Sequence, residues 1–212
     1  MRTPINFDRI ARPYRWLEYA SLGRSLERAR CFHLPRLARA THALILGDGD
    51  GRFTSALLQR HTRITADAVD LSRAMLRELL RNIGPEAASR VTACHTDVRD
   101  FQPVTVPDLV VTHFLLDCLT QPEANALILR LAGPLAPGSL WLVSEFRAPP
   151  GPLHLPARAL IRILYVAFRV LTGLRVTRVP DFATPLARAG MRPIAMYRSL
   201  GGILTSELWE RT

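Results

Sequence analysis

At 212 residues and 48% hydrophobic composition, the chain is long enough for one large domain with a substantial core. No uncharged apolar run of about 18 residues offers a membrane span, Met1–Phe7 lacks the apolar stretch of a signal peptide, and Cys31, Cys94 and Cys118 have neither disulfide nor zinc spacing. The expectation is a cytoplasmic protein without a metal. The net charge of +10 comes from 28 arginines and no lysine, set densely against few acids in residues 1–40 and 147–198, while residues 41–146 carry a slight acidic excess. The arginines are dispersed and accompany no DNA- or RNA-binding motif, so nucleic acid is not an expected partner. Solvated faces and ion pairs are their expected use.

In chain order, Tyr14–Cys31 carries apolar residues at helical spacing (Trp16, Leu17, Ala20, Leu26), interrupted by Gly23. Ala43–Leu46 reads as a short buried strand, followed by a glycine loop and a helix over Arg52–Arg60. Ile64–Val69 is a second strand, and Ser72 caps a helix to Asn82 that Gly84-Pro85 closes. Val91–His95 and Leu109–Thr112 are the third and fourth strands. A helix over Gln121–Leu131, ended by Gly133-Pro134, leads to a fifth strand over Ser139–Ser144. Strands alternating with helices predict an α/β fold with a doubly wound, mostly parallel sheet.

The chemistry-bearing motif lies where the first strand meets its helix, in Gly47-Asp48-Gly49-Asp50-Gly51. Glycines at this spacing let the backbone turn tightly and approach a ligand, at the sheet edge where nucleotides bind. A dinucleotide fingerprint would need its third glycine at position 52, which is Arg52; the pattern here is GxGxG. Asp70 ends the second strand 23 residues after Gly47, where a carboxylate can accept both hydroxyls of a ribose. Asp97-Val98 follows the third strand, and an acid beside an apolar residue suits an adenine amino group and ring face. Each element has a plain structural reading when taken singly. Their order carries the argument.

These elements resemble the class I S-adenosylmethionine-dependent methyltransferases, and look closest to the ubiquinone/menaquinone-type small-molecule group. The resemblance rests on LILGDGDGRF (44–53), AVDLSRAML (68–76), CHTDVRDF (94–101), DLVVTHFLLD (108–117) and LAPGSLWLVSEF (135–146). It implies a Rossmann-like sheet of seven strands ending in an antiparallel hairpin, here Arg192–Arg198 and Gly202–Glu210. It further implies S-adenosylmethionine as cofactor, with its methionine part at Gly47, Asp48, Gly49, Asp50 and Gly51. The ribose falls to Asp70 with Leu71, the adenine to Asp97 and Val98, and the floor of the site to His113 and Phe114. One position departs from the family: the acid usual two residues before the first glycine is Ile45. Either Asp48 or Asp50 replaces it near the cofactor's amino group, or backbone carbonyls meet that group; one of the two acids is the favoured expectation.

A cofactor that carries an activated methyl group leaves positioning and water exclusion to the protein. A general base is needed only for an acceptor protonated at neutral pH. His113 is the leading candidate, with Asp117 and Glu145 as further carboxylates at strand ends; His33, His42, His61, His95 and His154 form no constellation. Leu153–Leu174 is strongly apolar yet carries Arg158, Arg162 and Arg169 on one helical face. It reads as a core helix, as a lid whose Leu160, Leu164, Tyr165 and Phe168 line an apolar substrate cavity, or as a membrane-surface contact. The expected organisation is an N-terminal helical cap over 1–40 and a methyltransferase domain over 41–212 with a helical insertion at about 153–174. The expected function is methyl transfer to a small, apolar or lipid-like acceptor. The alternatives are a non-catalytic S-adenosylmethionine-binding protein and a NAD-dependent oxidoreductase.

Overall fold

Period-two patterning in the central strands sets the architecture. In β1 (His42–Leu46), Ala43 and Ile45 face one apolar layer while Leu44 and Leu46 face another, so every residue after His42 is buried. β2 (Thr65–Asp70), β3 (Val91–His95), β4 (Leu109–His113), β5 (Leu140–Phe146), β6 (Met191–Ser199) and β7 (Leu204–Arg211) complete one seven-stranded sheet in the order β3-β2-β1-β4-β5-β7-β6. The five strands from β3 to β5 are parallel neighbours, and β7 pairs antiparallel with both β5 and β6. This computed structural model describes residues 24–172 and 180–212, with the backbone alone over 167–172.

Among the described residues, six α-helices accompany the sheet: α1 (Ser25–Cys31), α2 (Arg52–Arg60), α3 (Arg73–Ala88), α4 (Gln121–Ala132), α5 (His154–Thr172) and α6 (Ala183–Arg188). One face of the sheet packs Ile45, Val111 and Leu142 against Phe53 and Leu57 of α2 and Leu76 and Leu79 of α3. The other packs Leu46, Val110 and Trp141 against Leu127 and Ile128 of α4 and Leu186 of α6. Trp141 is fully buried there, and its indole N–H donates to Thr112 Oγ1 at 3.1 Å, which removes the cost of an unpaired donor. A smaller cluster joins Leu26 of α1, Phe146, Leu204, and Ile161 and Tyr165 of α5.

The expected strands are all present, with ends shifted by at most two residues. Ser72 caps α3 by accepting from the Met75 backbone N–H at 3.1 Å. The chain does break at Gly84 (φ 78°, ψ 165°), but one further helical turn follows Pro85, so α3 extends to Ala88. Of the helix expected over Tyr14–Cys31, Ser25–Cys31 is α1; Tyr14–Gly23 lie outside the described residues. Because β2 and β3 lie on one side of β1 and β4 on the other, the chain reverses direction across the sheet between β1 and β4. The carboxyl ends of those strands flank the crevice that such a reversal opens.

Candidate active site

The glycine loop leaves β1 at this crevice. Gly47, Gly49 and Gly51 all have left-handed φ (67°, 63° and 78°), a region that residues bearing a Cβ rarely occupy. The Gly47 N–H donates to Val69 O at 2.9 Å, which ties the loop to the end of β2. Asn82 Nδ2 donates to Asp50 O at 2.8 Å and anchors it to α3. The two loop acids have different environments. Asp50 pairs with Arg52 Nε at 2.9 Å. Asp48 is buried, and its Oδ2 accepts from the Thr54 N–H and hydroxyl at 2.9 and 2.7 Å, capping α2. Its Oδ1 is buried without a partner. Burial pushes the Asp48 carboxyl up, against the pull of the Arg30 guanidinium and the Thr54 donors.

The β1–β2 register pairs Leu46 with Val69 and so sets Asp70 beside the loop. Asp70 is half-buried, and its Oδ1 accepts from the Ser72 N–H at 2.8 Å. Leu71 is held through its carbonyl, which accepts from His95 Nε2 at 2.9 Å. Arg73 Nε approaches His95 Nδ1 at 3.1 Å, so Nδ1 is the acceptor and Nε2 carries the proton. At the end of β3, Arg99 Nε donates to both Asp97 oxygens, at 2.8 and 3.0 Å, and its Nη1 reaches Glu123 at 2.8 Å. Val98 is buried in the α4-side core, and Arg130 grips its carbonyl at 2.7 Å.

His113 ends β4, between β1 and β5, as expected. Its ring packs edge-on against Phe53 with centroids 4.5 Å apart, fully enclosed, and neither nitrogen has a hydrogen-bond partner. Burial first, then the charge on Arg30, push its pKa well below the usual imidazole value, so the ring is neutral at physiological pH. Phe114 adopts a positive φ (53°) while its N–H still donates to Ser144 O at 2.8 Å. The β4–β5 ladder therefore closes at the same residue where the chain turns away. The Phe114 ring lies 5.1 Å from that of Phe146 and under the Arg30 guanidinium, 5.2 Å from its centroid.

The loop, Asp70, the Asp97 turn and the His113-Phe114 turn thus meet at one sheet edge. Residues 43–138 match the family described as "Methyltransferase domain". A trans-aconitate 2-methyltransferase from Delftia acidovorans is 36% identical over 110 residues, which are 50% of this chain and 38% of that relative. By sequence, this stretch is similar to methyltransferase domains. Two solved structures share the fold. An O-methyltransferase family protein from Burkholderia thailandensis superposes with a TM-score of 0.68 at 21% identity, over 97% of this chain and 57% of its own. The N-methyltransferase NodS from Bradyrhizobium japonicum, in complex with S-adenosyl-L-homocysteine, gives 0.64 at 17% identity over 88% of both chains. The chain spans less than two thirds of the length of the curated relative and of the first of these structures.

Beyond the matched stretch, α5 lies over the Phe114–Phe146 end of the sheet. Ala157, Ile161 and Tyr165 are buried, and Leu160 and Leu164 are half-buried. Arg158 and Arg162 face solvent as expected, but they share that face with exposed Leu155, Ile163 and Val166, so the helix is apolar beyond its packed side. The side chains of Phe168 and Arg169 lie outside the described residues. Arg30 is a site residue that the sequence reading did not single out. It is buried with Leu26 and Ala29 at the inward positions of α1. That arginine in the apolar phase of a helix was the available signal. Among the described residues, no group of three His, Cys, Asp or Glu is placed to hold a metal, and no helix is long and apolar enough to cross a membrane.

Proposed function

We propose that the chain transfers a methyl group from S-adenosylmethionine to a small, largely apolar acceptor held beneath α5. The observation that carries this reading is the convergence of a left-handed glycine loop, a buried Asp48 oxygen without a partner, and Asp70 at one strand edge. The residues fit the cofactor. A Cβ at position 47 would come within 2.9 Å of Leu115, so the loop keeps its backbone bare. An unpaired buried carboxylate oxygen is costly unless a donor reaches it, and the methionine ammonium is such a donor. Asp48 therefore takes the role left open by Ile45, because Asp50 already pairs with Arg52.

In this reading the backbone of Gly47, Gly49 and Gly51 borders the methionine part, with Asp50 bracing the loop. Asp70 and Leu71 hold the ribose. Val98 offers its apolar surface to the adenine, and Asp97, its carboxylate oriented by Arg99, accepts from the amino group. His113 and Phe114 form the floor. The bound cofactor supplies an activated sulfonium methyl, and the protein aligns the acceptor and keeps water out. The apolar acceptor is supported by Phe114, Phe146, Ile161 and Leu164, which form an apolar cluster under α5 beside the carboxyl ends of β4 and β5. Arg158 and Arg162 point to solvent and supply no anchor for an acidic head group.

Asp70 is the test. Asp70→Ala is expected to weaken S-adenosylhomocysteine binding about tenfold or more, since each ~1.4 kcal/mol lost is one factor of ten. The fold, followed by circular dichroism, should persist. An unchanged dissociation constant would place the ribose contact elsewhere.

A further inference from the structure

Beneath α5 lies a cluster of buried acids that the cofactor does not need. Asp117 sits in the tight turn Leu116–Cys118 after β4, and Glu145 on β5 is fully enclosed (0% exposed). One Glu145 oxygen accepts from the Leu116 N–H at 2.8 Å, while its Oε2 has no partner. Tyr165 of α5 is 8% exposed; its hydroxyl is turned toward Asp117 yet closes no hydrogen bond of normal geometry. Cys118 Sγ lies 3.4 Å from Asp117 Oδ1 and 3.8 Å from Phe114 O, and feels the charge of Asp70. Two carboxyl groups, a phenol and a thiol are therefore gathered beneath α5, with two buried polar atoms, Glu145 Oε2 and the Tyr165 hydroxyl, left unpaired.

Leaving such atoms unpaired is costly, so a cluster that only filled the core would close its own bonds. We propose that Asp117, backed by Glu145 and Tyr165, receives the proton of the methyl acceptor, which is therefore a hydroxyl or an amine rather than a carboxylate. The proposal rests on the methyltransferase reading. The acceptor's O–H or N–H gives its proton to Asp117 as its lone pair bonds to the methyl carbon, and the C–S pair stays on sulfur. The Asp117 carboxylate repels an anionic acceptor, so a carboxylate acceptor is disfavoured by charge. Burial pushes the Asp117 carboxyl up to about 6, against the hydrogen bonds offered by Cys118 and Tyr165. Burial, and then the Asp117 charge, push Glu145 well above its usual range. Asp117 is thus ionised, and able to accept, only above about 6.

The test uses the protein saturated with S-adenosylhomocysteine, titrated calorimetrically with catechol, benzylamine and benzoate as hydroxyl, amine and carboxylate probes. Catechol or benzylamine is expected to bind, and benzoate is not. Because the accepting carboxylate must be ionised, affinity should rise about tenfold from about pH 5 to about pH 7.5. Asp117→Asn should abolish that rise. Tyr165→Phe should weaken binding and keep it, which covers the case in which the first variant folds poorly. With S-adenosylmethionine in place of the product, methyl transfer to the bound probe should follow the same pH profile. Preference for benzoate, a pH rise that survives in Asp117→Asn, or saturation with S-adenosylhomocysteine but no probe binding would each overturn the proposal. Failure to bind S-adenosylhomocysteine would instead overturn the methyltransferase reading beneath it.

Discussion

At the scale of single residues, the three loop glycines have different tasks. A Cβ at Gly51 would stand 2.5 Å from Leu79 Cγ and 2.8 Å from its Cα, so this glycine brings α2 and α3 together besides turning the loop. Gly138 shares a positive φ (+85°) but has nothing within 4 Å of its Cβ position. Gly138→Ala should cost only the left-handed strain of roughly 1–2 kcal/mol. Gly51→Ala adds overpacking and should cost roughly 2–5 kcal/mol in all. Chemical denaturation of both variants checks this, and equal losses would remove the packing role. The GxGxG spacing, Asp70 and the His113-Phe114 turn were legible in the sequence. What separates Asp48 from Asp50 was not, because both flank the same glycines and differ only in their contacts, Asp48 accepting from Thr54 and Asp50 pairing with Arg52. Arg30 was hidden among the dispersed arginines, since only packing distinguishes a buried guanidinium from a solvated one.

At the scale of elements, Arg99 joins the turn after β3 to the start of α4, by holding Asp97 and Glu123 together. Glu123 also closes the capping box of α4, accepting from the Thr120 N–H at 2.9 Å and its hydroxyl at 2.8 Å. Arg99→Ala should therefore destabilise the fold by roughly 1–3 kcal/mol and weaken S-adenosylhomocysteine binding as well, because Asp97 loses its orientation. A variant that loses stability but binds normally would show that Asp97 has no part in holding the cofactor. Strands and long helices were readable because their periodicity extends over several residues. α6 (Ala183–Arg188) was not: it is a single short turn containing Pro185, and is held by Asp181 Oδ1 accepting from the Ala183 and Thr184 N–H groups at 3.0 and 3.1 Å. Glycine and proline marked the α3 break correctly, but Pro85 opens a new turn instead of ending the helix, as its fixed φ permits at a helix start.

At the scale of the whole molecule, the sheet order gathers residues far apart in the chain at one edge. β1 leads into the glycine loop, β2 supplies Asp70, β4 His113 and β5 the buried Glu145, while Leu26 of α1 and Ile161 and Tyr165 of α5 pack at the β5 end. The mostly parallel pairing was visible in the alternation of strands and helices, because parallel neighbours need crossovers of this length, but the strand order was not. What covers the edge was not visible, since the packing of α1 and α5 depends on contacts made across the whole chain. The dinucleotide-binding proteins place a glycine loop and an acid at the same edge, so one titration separates the two chemistries. The purified protein should bind S-adenosylhomocysteine and leave NAD unbound in isothermal titration calorimetry. Tight NAD binding with no measurable S-adenosylhomocysteine binding would contradict the account.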